Sequence, residues 1–275
     1  MTSSTNSEEF YGSGSHAKSQ LNTVKRYPGR GKYDYQQVYP IVDQAPILHV
    51  AFQPSTNDEG PTFPVILPML GCMGSFGSSA AIESVSPPDL YLHGYVSARM
   101  MRLSRSATAE DPSGMPVCVS ATLMDGIVLA LTPNHHSCNY RSAVIFGHAS
   151  IVDDEAERLF AMELITNNLV PERWQHTRYP NGAELKSTGI LKVTIHSASA
   201  KVRTGSTGEA REDLKNEEMR KTVWSGVVPS RTVYDEPIPA STNMHKGTPP
   251  YIAQWVEDFN AVGKIYAAQA GRPVN

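Results

Sequence analysis

Several features that would disclose a function at once are missing from this chain. Its three cysteines, Cys72, Cys118 and Cys138, show no C-x-x-C spacing, which argues against a disulfide framework and a zinc knuckle. No apolar run approaches the roughly 20 residues that a membrane helix needs. The opening MTSSTNSEEFYGSGSH has no apolar core of a secretion signal. A soluble, cytoplasmic protein without a membrane partner is expected. Neither charge sign is in excess: 24 Lys and Arg against 27 Asp and Glu leave a net charge of −3. Sequence-independent nucleic-acid binding is therefore not expected. A G-x-S-x-G elbow, a P-loop, a G-x-G-x-x-G after a strand and a repeat period are also absent.

What the chain does have is enough apolar material for one sizeable core, 40% of 275 residues. Residues from Met1 to about Gln20 are rich in Ser, Thr, Asn and Gly and are expected to be disordered. A short helix is expected over Tyr35–Gln44, and strands over Ile47–Phe52, Phe63–Leu70 and Leu90–Val96. Pro64 and Pro68 remove ladder donors, which puts the second strand at an edge or a bulge beside a ligand. Gly71–Gly77 reads as a flexible connection. Asp125-Gly126 signals a type I′ hairpin between strands over Pro116–Met124 and Ile127–Leu131. A long strand over Asn139–Val152, a helix over Asp153–Val170 and a strand over Leu191–Ser197, running on to Gly205, follow. A charged helix at Glu209–Lys221, an apolar Val223–Pro229 and a helix at Ile252–Ala268 complete the chain. Strands outnumber helices, and few connections look like crossovers. The fold class is mainly β, an antiparallel barrel with helices outside it.

Polar groups gather at strand ends in a few places. In YLHGYVSARMMRL, Tyr91–Leu103, a strand feeds a helix through Ser97, with Arg99 and Arg102 in its first turns. Free helix N–H groups beside guanidinium charge suit a phosphate, although an ordinary strand-to-helix joint has the same composition. Lys201 and Arg203, two apart on an extended segment, share a side; they serve equally as an anion grip or a solvated basic edge. His135, His136 and Cys138 make zinc conceivable, but adjacent histidines point apart and no second ligand pair is present.

Taken in order, YLHG…SARMMRL, DGIVLAL…HHSCNYRSAVIFGHA, LVPERW, ELKSTGILKV…SASAKVRTG and VWSGVVP resemble the pyridoxamine-5′-phosphate-oxidase-like flavoproteins. The branch most alike is that of flavin-nucleotide-binding proteins related to nitroimidazole-resistance reductases. The similarity runs from about Arg26 to Pro229. It implies a six-stranded antiparallel split β-barrel that binds FMN in clefts between the subunits of a homodimer. It also implies three regions: a disordered 1–24, an FMN-binding barrel over 25–230 and a C-terminal extension with a helix over 231–275.

The resemblance further implies a set of contacts. Phe63–Met69 occupies the place of the strand that lays its backbone along the flavin ring, making Val65, Ile66, Leu67 and Pro68 ring contacts, with Leu92 beside them. The family's Ser-Arg-Lys phosphate motif reads Ser97-Ala98-Arg99 here. An Arg-Gln pair becomes Arg141-Ser142, and Lys201 and Arg203 would supply the missing charge. His93 falls where resistance-type relatives place a histidine beside the flavin, and it is the candidate catalytic residue; an ordinary strand histidine is the alternative. The motif that grips vitamin B6 phosphate is not recognisable, so that activity is not favoured. The function implied is an FMN-dependent oxidoreductase acting on a small organic substrate, with electrons from NAD(P)H or the substrate. A non-catalytic flavin-binding module is one alternative. A haem-binding barrel using His93, His135 or His136 is another.

Overall fold

The computed structural model describes residues 10–54, 63–77 and 87–272. Its strands are β1 (Gly31–Lys32), β2 (Leu48–Phe52), β3 (Val65–Gly74), β4 (Asp89–Tyr95), β5 (Met115–Leu129), β6 (Ser137–Ile151), β7 (Thr188–Arg203) and β8 (Gly226–Pro229). Six of them form a ladder in the order β7-β4-β3-β2-β5-β6, and β6 pairs back onto β7. The result is a closed six-stranded antiparallel barrel with peripheral helices, as expected. β1 pairs antiparallel with β7, and β8 with β5. The longer helices are α1 (Tyr35–Gln44), α2 (Arg99–Glu110), α3 (Glu155–Leu169) and α4 (Pro250–Ala270).

Two compact units make up the chain: residues 1–122 with 142–201, and residues 123–141 with 202–275. In the first unit, period-two alternation sorts the strands into two faces. Leu48, Val50 and Phe52 of β2 are buried inside the barrel, as are Leu90 and Leu92 of β4 and Leu191 and Val193 of β7. The outer face is apolar too where α3 lies on it. There Cys72, Tyr91 and Ile190 pack against Ala161 and Ile165. Asp154 caps α3 by accepting the Glu157 N–H at 2.7 Å. Glu157 in turn accepts from Tyr91 Oη at 2.7 Å and Lys192 Nζ at 2.9 Å, so one carboxylate ties helix to barrel.

In the second unit, Asn139 Nδ2 donates to the carbonyls of Gly205 at 2.9 Å and Ala270 at 3.0 Å, fastening the end of α4. Tyr234, Trp255 and Phe259 cluster, and Asn260 bonds the Tyr234 backbone from both sides at 3.0 and 2.7 Å.

Three local expectations are corrected. Asp125-Gly126 makes no hairpin, because β5 runs straight through it. Asp125 is buried and bonded to Arg141 at 2.8 Å, while Gly126 pairs with Pro229 of β8. A Cβ at Gly126 would stand 3.0 Å from the Val228 carbonyl, so the glycine serves close approach, not a turn. Gly71–Gly74 is strand, not a flexible connection: a Cβ at Gly71 would strike the Tyr91 carbonyl and lie 2.7 Å from Leu92. Part of the segment expected to be disordered is anchored. Tyr11 Oη donates to Asp43 at 2.6 Å, and Asn22 Nδ2 donates to the Ala198 carbonyl at 3.1 Å. Low-complexity composition concealed one tyrosine and one asparagine with buried acceptors.

Candidate functional site

β3 changes partners halfway along. Val65–Met69 pair with β2, whereas Leu70–Gly74 pair with β4. The ladder between β3 and β4 therefore ends at the rung Leu70–His93, and beyond it the two strands part. Pro68 lies on the half-strand without a β4 ladder, where a missing N–H costs nothing. The expected edge is thus found, but as a local split in a strand that has neighbours on both sides.

Around this split the outer face is uncovered. Ile66 is 62% exposed and Tyr95 63%, and Pro68, His93 and His49 are exposed as well. His93 stands at the last paired rung, between Leu70 and Ile190. Although its outer edge is exposed, the strands beside its inner part disfavour the charged form and lower its pKa from the ordinary imidazole value. The neutral form of the ring is favoured, and it has no hydrogen-bonding partner among the described residues. It can accept or donate a proton to whatever occupies the split.

β4 leads from His93 directly to α2. Its N-cap is Ala98, not Ser97, and no side chain caps it. Ser97 and Arg99 are exposed at this helix start. Uncapped N–H groups, the helix dipole and one guanidinium together make an anion-receptive end. A Cβ at Gly94 would stand 2.6 Å from Cε of Met101, so the glycine gives that side chain its room.

The other expected residues divide sharply. Ile66 and Pro68 face outward, whereas the register sets Val65 and Leu67 with Phe52 and Val50 on the barrel side. Leu92 is fully buried in the barrel and does not reach this surface. Ser142 Oγ donates to the Lys201 carbonyl at 3.1 Å, tying β6 to β7. In the other unit, Arg141 makes a two-point bond to Asp125 at 3.1 and 2.8 Å and stacks 3.9 Å from the Tyr266 ring centroid. Arg203 is buried and donates to Asn139 Oδ1 and to the Ser206 carbonyl at 3.1 Å. Lys201 and Arg203 therefore do not act as one grip, since the arginine already serves the fold. His136 Nδ1 accepts the Ala130 N–H at 3.0 Å. Among the described residues no three His, Cys, Asp or Glu groups converge as a metal site. His49 was missed; period-two alternation through ILHVAF was the signal that could have exposed it.

Residues 34–202 match the model of a family described as pyridoxamine 5′-phosphate oxidase. Among solved structures, the flavocytochrome Anf3 from Azotobacter vinelandii is 26% identical, with a TM-score of 0.68. The match covers 87% of this chain and 98% of that one. An FAD- and haem-binding protein from Mycobacterium smegmatis is also 26% identical, with a TM-score of 0.65 and coverage of 82% and 97%. A putative 5-nitroimidazole antibiotic resistance protein from Bacteroides thetaiotaomicron is 17% identical, with a TM-score of 0.43 and coverage of 61% and 82%. The comparison with curated proteins found no match.

Proposed function

The chain belongs to the pyridoxamine 5′-phosphate oxidase family, and from that premise we propose that it is an FMN-dependent oxidoreductase whose ring site is the outer face at the β3–β4 split. The observation that carries this reading is the half-strand Val65–Met69, which has no β4 ladder and presents exposed Ile66 and Pro68 beside His93. A planar ring can lie along such a strand and take hydrogen bonds from its backbone. The N-terminus of α2 with Arg99 then receives the phosphate dianion, one strand end away.

When bound, the flavin supplies hydride and electron transfer. The rest belongs to the protein. The β3 backbone orients the ring, and Ile66 and Pro68 keep water from its underside. His93 holds a proton at the ring edge and exchanges it with a small organic substrate. A second copy of the chain would cover the open face and complete the cleft.

The first test is the visible spectrum of the purified protein, followed by FMN titration. The second is stopped-flow reduction by NADPH and reoxidation by a quinone or nitroaromatic acceptor. His93→Gln is expected to keep flavin affinity within a few-fold while turnover falls roughly 10²–10⁴-fold. Rates in both proteins equal to those of free FMN would leave a flavin-binding module with no catalysis.

A second reading is favoured by the two solved structures at 26% identity, one named a flavocytochrome and the other an FAD- and haem-binding protein. In that reading the chain takes haem as well as flavin, with His93, His135 or His136 as the axial ligand. His136 accepts the Ala130 N–H at Nδ1, which puts the proton of its neutral ring on Nε2, so it would have to give up that bond before it could ligate iron. A Soret band that shifts in one of the three histidine variants identifies the ligand, and no Soret band on haem titration removes this reading.

A further inference from the structure

The family match stops at residue 202, and the unit formed by residues 123–141 and 202–275 has apolar surface of its own. Its helix α4 is apolar on two sides. One side is in use: Ala267 and Ala270 are buried, and Trp255 and Phe259 pack on Tyr234. On the other, Ala261, Val262, Ile265 and Ala268 recur at helical spacing and are all exposed, Val262 to 67% and Ile265 to 58%. A surface helix keeps one apolar side, so a second apolar stripe signals a second packing partner.

The segment that leads into α4 has the complementary defect. Residues 230–249 form neither helix nor strand, a length at which connections are usually functional. The near end is clamped: Asn260 holds both the N–H and the carbonyl of Tyr234, whose ring centroid lies 4.8 Å from those of Trp255 and Phe259. At the far end the Pro249 carbonyl accepts the N–H groups of Ile252 and Ala253, which joins the segment to the helix. Between these anchors Pro237 and Pro239 stiffen the chain. Among the described residues, the hydrogen bonds of residues 235–248 all stay within the segment. Residues 238–248 are exposed throughout, and Ile238 and Met244 reach 92% and 95%. An arm rooted at both ends thus holds two large apolar side chains away from its own chain.

We propose that the arm, residues 235–248, of one copy lies across the α4 stripe of a second copy, which returns the contact. The bare arm and the bare stripe belong to the same unit and do not cover each other within the chain. One twofold operation covers both in both copies, whereas a different protein on the stripe would leave Ile238 and Met244 bare. Charge at the margins fits the same arrangement. The arm has Asp235 and Glu236 at one end and Lys246 at the other, and the stripe is bordered by Glu257 and Asp258 before it and by Lys264 within it. Laid with Lys246 toward Glu257 and Asp258, the arm brings its acidic end toward Lys264, and unlike charges meet along the rim. The exchange is independent of the flavin reading.

The test uses the full-length chain as purified, with FMN held at one concentration throughout. Sedimentation equilibrium compares the wild type with an arm variant, Ile238→Asp with Met244→Asp, and a stripe variant, Val262→Asp with Ile265→Asp. Each variant homodimer loses both exchanges, and its dissociation constant is expected to rise at least about a hundredfold, since two apolar side chains per exchange lose their cover. In a 1:1 mixture one intact arm meets one intact stripe, so the mixed dimer should form at least about tenfold more tightly than either variant alone. A general weakening of the dimer gives no such recovery. A wild type that stays monomeric throughout the micromolar range overturns the proposal. So do variants that dimerise as tightly as the wild type, or a mixture no tighter than its components. Should the stripe variant fail to fold, the arm variant decides alone: wild-type dimerisation overturns the proposal, and the hundredfold loss upholds it.

Discussion

An arginine offers a ligand only what its other partners leave over. Arg99 is exposed at the start of α2. Arg141 already holds a carboxylate that is 4% exposed and stacks on Tyr266. Replacing Arg99 by Ala is therefore expected to weaken FMN by about ten- to a hundredfold, roughly 1.5–3 kcal/mol for a charge-assisted hydrogen bond. Riboflavin, lacking the phosphate, should change little, and isothermal titration with both ligands reads the difference. Equal weakening of both would point to folding and remove Arg99 from the phosphate. Arg141→Ala should instead act on stability, because it strands Asp125 as an uncompensated buried charge. About 3–5 kcal/mol is expected in urea unfolding, with partial recovery in Arg141→Ala combined with Asp125→Ala. Asp43 gives a pH signature at the same scale. Burial raises its pKa to about 6, although Tyr11 and the Met73 N–H both donate to it and oppose the shift. The folded chain then binds this proton more tightly than the unfolded one, so its contribution is full below pH ~4 and is lost as pH rises through about 6. Stability should fall across that window by at most about 3 kcal/mol. Asp43→Asn should flatten the slope in denaturant titrations between pH 4 and 7.

Elements with strong periodic patterns are legible in the sequence, and the misses are elements whose partners lie far away in sequence. The helices over Tyr35–Gln44 and Glu155–Leu169 and the outward histidine of β4 follow from local spacing and capping. β5 does not, since Asp125-Gly126 is a hairpin signal locally. Only the distant Arg141 and β8 make it cheaper to continue as strand. The split between β3 and β4 is of the same kind: Pro68 marked an edge, but its side and extent depend on where β4 pairs. One element is poised on a single carboxylate. Glu157 takes both the Tyr91 hydroxyl and Lys192, and through them holds α3 on the barrel. Tyr91→Phe keeps the ring's packing against Phe160 and removes one hydrogen bond to a charged group, so about 1.5–3 kcal/mol should be lost. Faster amide exchange confined to α3 and its underlying strands is the expected readout, and unchanged protection there would show that packing alone holds the helix.

For the whole molecule the question is what covers the open face. Ile66 and Tyr95 are 62% and 63% exposed, and with Pro68 they form an apolar surface around an unladdered strand edge. Such an edge is an association hazard unless a ligand, a second chain or both occupy it. A flavin would cover the strip along β3 but not Tyr95 at its margin, so we expect a second copy of the chain to close over the ring. The two associations are then linked: flavin binds the dimer better than the monomer, and by reciprocity flavin tightens the dimer. Dilution below the dimer dissociation constant should release FMN, seen as recovered flavin fluorescence. Added FMN should move the sedimentation boundary toward the dimer at a fixed protein concentration. Tyr95→Asp, placed outside the strip that receives the ring, should weaken dimer and flavin together while leaving the isolated fold's thermal transition in place. A monomer that binds FMN with the same affinity at every protein concentration would show instead that one chain builds the whole site.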